Sequence, residues 1–242
     1  MSIAPGTTAF YDDWAAHGQE APRSAVSRHF ETAFAPGARV LDVGCGKGRD
    51  VVALLDMGFD GYGVEPHAAM RAAALARDAR VAARIADATL PALGQPFGGG
   101  FDGVVCSAVL MHVAPGDLGP ALAALATLLR PAGRLLIALP EMRADLLVDG
   151  RDPDGRQFAN HAPAHVESLL GALGFAMLSC EELSNASSDT HWRVLLLEHQ
   201  ARGAASAESA AGPCPASAQG TMTGRGPGAV PRERLLRGVA SQ

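Results

Sequence analysis

Asp42 stands two residues ahead of Gly44, and glycines recur at 46 and 48 in the run V-L-D-V-G-C-G-K-G-R-D of residues 40–50. Glycine has no Cβ, so the backbone can turn tightly there and lie against a ligand. The spacing D-x-G-x-G-x-G differs from G-x-G-x-x-G, which seats a pyrophosphate at a helix N-terminus. An acid at the mouth of the loop is a poor neighbour for a phosphate. It suits a ligand that carries an ammonium or sulfonium charge. Glu65 follows Tyr62-Gly63-Val64, about 20 residues after the loop, where an acid at the end of the second strand takes ribose hydroxyls. Its two oxygens can accept from both hydroxyls. The plainer alternative is a surface acid ahead of a helix.

These residues need elements to position them. Val40, Leu41 and Val43 read as the end of a buried strand, and Val51, Val52, Leu54 and Leu55 as the apolar side of a helix. Pro66 opens a further helix to about Asp78, and Val81–Ala86 reads as a short third strand. The fourth strand is Phe101–Ser107. Leu118, Ala121, Leu122, Leu125, Leu128 and Leu129 then mark one buried helical face, which Asp117 can cap. The turn Arg130–Arg134 leads to a fifth strand, Leu135–Leu139. Pro140–Pro163 fits no regular pattern and is rich in charge. Pro163 starts a last helix with Val166, Leu169, Leu170 and Leu173 inward. Phe175–Cys180 and Trp192–Glu198 read as two more strands. The alternation predicts an α/β sheet with helices on both faces.

The loop, the acid at Glu65, the F-D-G-V of Phe101–Val104 and the L-R-P-A-G-R-L-L-I of Leu129–Ile137 together resemble the class I S-adenosylmethionine (SAM)-dependent methyltransferases. The resemblance covers roughly residues 39–199. It implies a doubly wound, Rossmann-like sheet of about seven strands, mostly parallel with one antiparallel edge strand. It implies SAM as cofactor and in-line transfer of its methyl group to an unidentified, small-molecule acceptor. The cofactor-binding residues carried over are Asp42, Gly44, Cys45, Gly46, Gly48, Glu65, Pro66, Asp87, Ala88 and Ser107, with Asp87 receiving the adenine amino group. A turn Asp is the alternative at Asp87. No Asp/Asn-Pro-Pro-aromatic run ends the fourth strand, which counts against an amino group on a DNA base or a glutamine as acceptor.

Other residues keep two readings. His112 follows the fourth strand and would act as a base on the acceptor, or only brace its loop. Tyr11, with Phe10 and Trp14 in an N-terminal helical arm, would close the site or staple the arm to the body. Arg151, Arg156 and His161 would hold the substrate from the charged insert, or lie in a solvated loop. Two other functions stand as alternatives: a SAM-binding protein without turnover, and an NAD(P)-dependent oxidoreductase. The glycine spacing and the single lysine, Lys47, disfavour the second.

The bulk properties set the frame. The 242 residues carry a net charge of −5, and an acidic body argues against nucleic acid as partner. No apolar run approaches the roughly 18 residues of a membrane span. The N-terminus lacks the layout of a secretory signal. Cys45, Cys106, Cys180 and Cys214 are scattered, which predicts neither structural zinc nor a disulfide framework, and a reducing, cytoplasmic setting. The chain divides into an arm (1–35, with Pro22 in a helical first turn and Val26, Phe30 and Phe34 at helical spacing), a SAM-binding body (36–200) and an Ala/Gly/Pro/Ser-rich tail (201–242) read as disordered.

Overall fold

The computed structural model describes residues 4–20, 24–184 and 190–200; Pro22 and the whole of the 201–242 tail lie outside them. Seven strands form one sheet in the order β3-β2-β1-β4-β5-β7-β6. They are β1 (Arg39–Val43), β2 (Asp60–Val64), β3 (Ile85–Ala86), β4 (Phe101–Ser107), β5 (Leu129–Met142), β6 (Phe175–Ser184) and β7 (Thr190–His199). The first five run parallel, and β7 is antiparallel to both β5 and β6. The antiparallel strand thus lies one place in from the edge, with β6 outside it.

Period-two alternation in the central strands fills two cores, as expected of a sheet covered on both sides. Leu41, Val43, Val104, Cys106, Leu135 and Ile137 face Leu118, Leu122 and Leu125 of α5 (Leu118–Leu128) and Val166 and Leu170 of α6 (Pro163–Ala172). Val40, Val105, Leu136 and Ala138 face Phe30 of α2 (Phe30–Ala33), Phe34, and Leu54 of α3 (Arg49–Asp56). Helix α4 (Ala68–Arg77) follows β2. Helix α1 (Pro5–His17), which buries Thr7 and Trp14, packs against α4.

Several expectations are corrected. The third strand shrinks to Ile85–Ala86, because Ala79–Val81 takes a 3₁₀ turn capped at its start by the Asp78 side chain accepting from Arg80 N–H. The fifth strand is longer than Leu135–Leu139. Its ladder with β4 begins at Phe101↔Leu129, breaks register, and resumes at Gly103↔Arg134, so the Pro131–Gly133 turn is an irregularity within one strand. The left-handed residue there is Ala132 (φ 60°) rather than the glycine. Asp117 sits at the start of α5 but makes no side-chain capping bond. Cys45 and Cys106 are free and buried. Among the described residues no helix is long and apolar enough to cross a membrane.

Candidate functional site

The strand order reverses direction of winding between β1 and β4, and ligands of open α/β sheets bind outside the carboxyl ends of the strands at such a point. A cavity of about 470 Å³ opens there. Its floor is the ends of β1, β2, β4 and β5, represented by Asp42, Val43, Glu65, Ser107 and Ala138. Its roof is α1, through Tyr11 and Trp14.

The glycine loop turns on the positive φ angles of Gly44, Gly46 and Gly48, 73°, 56° and 70°. At Gly44 a Cβ would stand 2.5 Å from Val109 Cγ2, so the close approach of the post-β4 loop demands glycine. Gly44, Cys45 and Gly46 line the cavity. Gly48 does not: it opens α3 and faces Ala74 of α4, a packing role. Gly44 N–H and Cys45 N–H both donate to Val64 O, at 2.8 and 3.0 Å, which fixes the loop over the end of β2.

Glu65 is buried, and each of its oxygens already accepts one backbone N–H. Oε2 takes Gly46 N–H at 2.9 Å and Oε1 takes His67 N–H at 2.8 Å. A carboxylate oxygen has two lone pairs, so each retains one for a ligand hydroxyl. Burial raises its pKa, and the two backbone bonds oppose that rise. Pro66 and Ala88 line the same end. Asp87 stands just outside the cavity lining. Its carboxylate is exposed and pairs with Arg71 at 3.0 Å, and the cavity wall begins at the next residue. The two-residue β3 ends at once and turns Asp87 outward toward α4.

Beyond the loop lies a charged pole larger than Asp42 alone. Asp42 and Asp50 are buried beside Arg49, and all three border the cavity. Burial, reinforced by Asp50, pushes the Asp42 carboxyl well above its usual range; burial likewise raises Asp50. Arg49 Nε, Asp50 Oδ1, His67 Nδ1 and Trp14 Nε1 are buried without a hydrogen-bond partner, the first two facing each other as an ion pair at 3.8 Å. Such orphans are rare in folded proteins and mark the place of a ligand or bound water. Sequence reasoning passed over Arg49 and Asp50, although the signal was available: they directly follow the loop and form the first turn of α3, which points at the cavity.

At the other side Tyr11 Oη lies 2.8 Å from His112 Nε2, and His112 Nδ1 lies 2.7 Å from Gln157 O. A carbonyl only accepts, so Nδ1 carries the proton and Nε2 receives the tyrosine O–H. Burial drives the His112 pKa down to about 4 and that of Tyr11 up to about 12. Both are therefore neutral at neutral pH. The turn that carries His112 follows Ala108, whose φ of 58° is left-handed.

The three insert residues read as substrate ligands are placed elsewhere. Arg156 is buried, paired with Asp152 at 2.5 Å, 4.4 Å over the Phe10 ring, and hydrogen-bonded to Tyr11. Arg151 is exposed and donates to Gly155 O at 2.9 Å. His161 is buried, with Nε2 2.9 Å from Leu110 O and 3.2 Å from Val113 O. None of the three borders the cavity. The insert instead grips α1: Gln157 N–H donates to Thr7 Oγ1 at 2.8 Å. Lys47 secures the other end of that helix, donating to Trp14 O and Gly18 O at 3.1 and 2.7 Å.

Known proteins share this fold. A profile described as "Methyltransferase domain" matches residues 14–200. An O-methyltransferase of Pyrenophora dematioidea is 30% identical over 165 residues, 61% of this chain and 58% of that protein. A protein-L-isoaspartate O-methyltransferase of Methylorubrum extorquens (strain PA1) is 34% identical over 150 residues, 60% of this chain and 61% of its own. The chain thus spans about three fifths of the length of these curated relatives. The Burkholderia thailandensis 1,6-didemethyltoxoflavin-N1-methyltransferase, solved with 1,6-didemethyltoxoflavin and S-adenosylhomocysteine, shares the fold with a TM-score of 0.62 and 24% identity, over 80% of this chain and 85% of that one. With the profile spanning all seven strands and most of the cavity lining, the chain belongs to the methyltransferase-domain family.

Proposed function

We propose that this protein transfers a methyl group from SAM to a small-molecule acceptor and that Tyr11 and His112 receive the acceptor's proton. The observation that carries the reading is a cavity roofed by α1 with a carboxylate grip at one end, an Arg49–Asp50 ion pair beside it, and a neutral Tyr–His pair in its wall. The residues fit the cofactor. Glu65 would offer its free lone pairs to the ribose hydroxyls, and Ala88 and its neighbours would border the adenine. Asp42 and Asp50 suit the ammonium, and Arg49 the carboxylate. When bound, SAM supplies a methyl group on a cationic sulfur, which leaves readily as the neutral thioether.

The chain's own work is alignment, exclusion of water and proton handling. Helix α1 shuts the roof and brings Tyr11 onto His112. An acceptor X–H donates to Tyr11 Oη. As its methyl bond forms, the proton passes to Oη while the tyrosine proton moves to His112 Nε2. The imidazolium that results keeps its Nδ1–H on Gln157 O. The low pKa of His112 holds it in the basic form beforehand.

The test is transfer of labelled methyl from SAM across a panel of phenols, aromatic amines and thiols, beside calorimetry with S-adenosylhomocysteine. The expected result is label in product, with His112→Asn slowing turnover about 100-fold or more while S-adenosylhomocysteine affinity holds. No binding of S-adenosylhomocysteine, or full turnover by His112→Asn, defeats the reading.

A further inference from the structure

We infer that the methyl acceptor is a small, uncharged ring compound with one ionisable X–H group, seated against Trp192. This rests on the methyl-transfer reading of the cavity and narrows it. The charges bordering the cavity are segregated. Glu20, Asp42, Arg49, Asp50 and Glu65 gather around the glycine loop and the end of β2, and Asp117 opens α5 beyond Val113. The space over β5 and β7 is different. Its walls are Val26, Ala138, Leu183, Trp192 and Val194, which belong to or pack against the core between the sheet and α2. Trp192 stands opposite Pro140 and Leu183 in the two ladders of β7, so its indole is held from both sides.

Among the described residues, two hydroxyl groups near this end are already satisfied within the protein. Ser27 Oγ donates to Ser24 O at 2.9 Å, and Thr7 Oγ1 accepts Gln157 N–H at 2.8 Å. Among the described residues, the cation at this end is Arg28, half exposed at the rim and paired with Glu181 at 2.6 Å. Among the described residues, a charged acceptor buried here would meet no unpaired counterion, which is strongly disfavoured. Tyr11 Oη lies on the roof of the cavity, beside His112 and within ring contact of His67. It donates to His112 and takes a bond from Arg156, and its remaining lone pair calls for a donor such as an ionisable X–H. The flat indole favours a ring, through offset or edge contacts. Size follows from volume. Pockets for one drug-sized ligand run from about 300 to 1,000 Å³, and here about 470 Å³ serves cofactor and acceptor together.

The experiment uses the full chain saturated with S-adenosylhomocysteine and three probes that share a naphthalene ring: 2-naphthol, 2-naphthoate and protonated 2-naphthylmethylamine. Calorimetry should rank 2-naphthol about tenfold or more above both charged probes. Trp192→Ala should weaken 2-naphthol about tenfold, and Trp192→Phe should restore most of it, with S-adenosylhomocysteine affinity unchanged in both. The inference is overturned if 2-naphthol does not bind, if a charged probe matches it, or if both Trp192 variants bind it like the wild type. S-adenosylhomocysteine is titrated first, and its failure to bind would strike the methyl-transfer reading itself rather than the choice of acceptor.

Discussion

Replacing His112 by asparagine should change how stability depends on pH. In the folded chain the His112 pKa sits at about 4, because its ring is desolvated; in the unfolded chain it returns to an ordinary value near 6.5. The folded state therefore disfavours the charged form. The stability this group lends is complete above the unfolded pKa and is lost as pH falls from about 6.5 toward 4. Linkage gives a loss of about 2 kcal/mol between pH 7 and pH 5 from this one residue. The introduced amide does not titrate, but it leaves Tyr11 Oη without its partner, which costs about 1–2 kcal/mol at every pH. His112→Asn should thus be less stable than the wild type at pH 7, and the gap should close or reverse at pH 5. Urea denaturation of both proteins at the two pH values measures it. Other carboxyl groups titrate in both proteins and cancel in the difference. A gap that stays constant between pH 7 and pH 5 would refute the buried, neutral state of His112 and the relay built on it.

Three further outcomes are expected. Glu65→Gln places an amide where two N–H donors need acceptors and should weaken S-adenosylhomocysteine by about 2–3 kcal/mol; calorimetry showing an unaltered Kd would remove Glu65 from the ribose. Arg49→Met should weaken S-adenosylhomocysteine about tenfold yet leave 5′-methylthioadenosine, which lacks the carboxylate, unaffected. Equal losses for both would place Arg49 away from the methionine end. Gly63→Ala would put a Cβ 2.6 Å from Cys45 Sγ and 2.9 Å from Val51 Cγ2, and overpacking of this kind costs about 1–3 kcal/mol. A wild-type Tm would show that the loop yields without strain.

The sequence disclosed most where chemistry and backbone geometry coincide. The glycine loop, Glu65 and the central strands could be read because glycine spacing and period-two burial are local signals. The placement of Asp87 was less legible because it depends on where a two-residue strand ends, and the pull of Arg71 on α4 is not a local property. Arg156 and His161 were read as substrate ligands or solvated loop residues, since nothing in a charged stretch says which Arg finds a buried Asp or which His finds Leu110 O. The Tyr11–His112 contact joins residues 101 positions apart, so both were named but their partnership was not. Trp192 gave no sign at all: in an alternating strand, which side meets a cavity depends on the neighbouring ladders.

The contact between Lys47 and the end of α1 has a practical corollary. The chain contains one lysine, and its amine is spent on Trp14 O and Gly18 O beneath the closed helix. An amine-reactive reagent therefore meets a single side-chain target, and meets it only in molecules whose helix has lifted. The acylation rate of that residue is an intrinsic clock for how often the roof opens, readable by mass spectrometry without introducing any label by mutation.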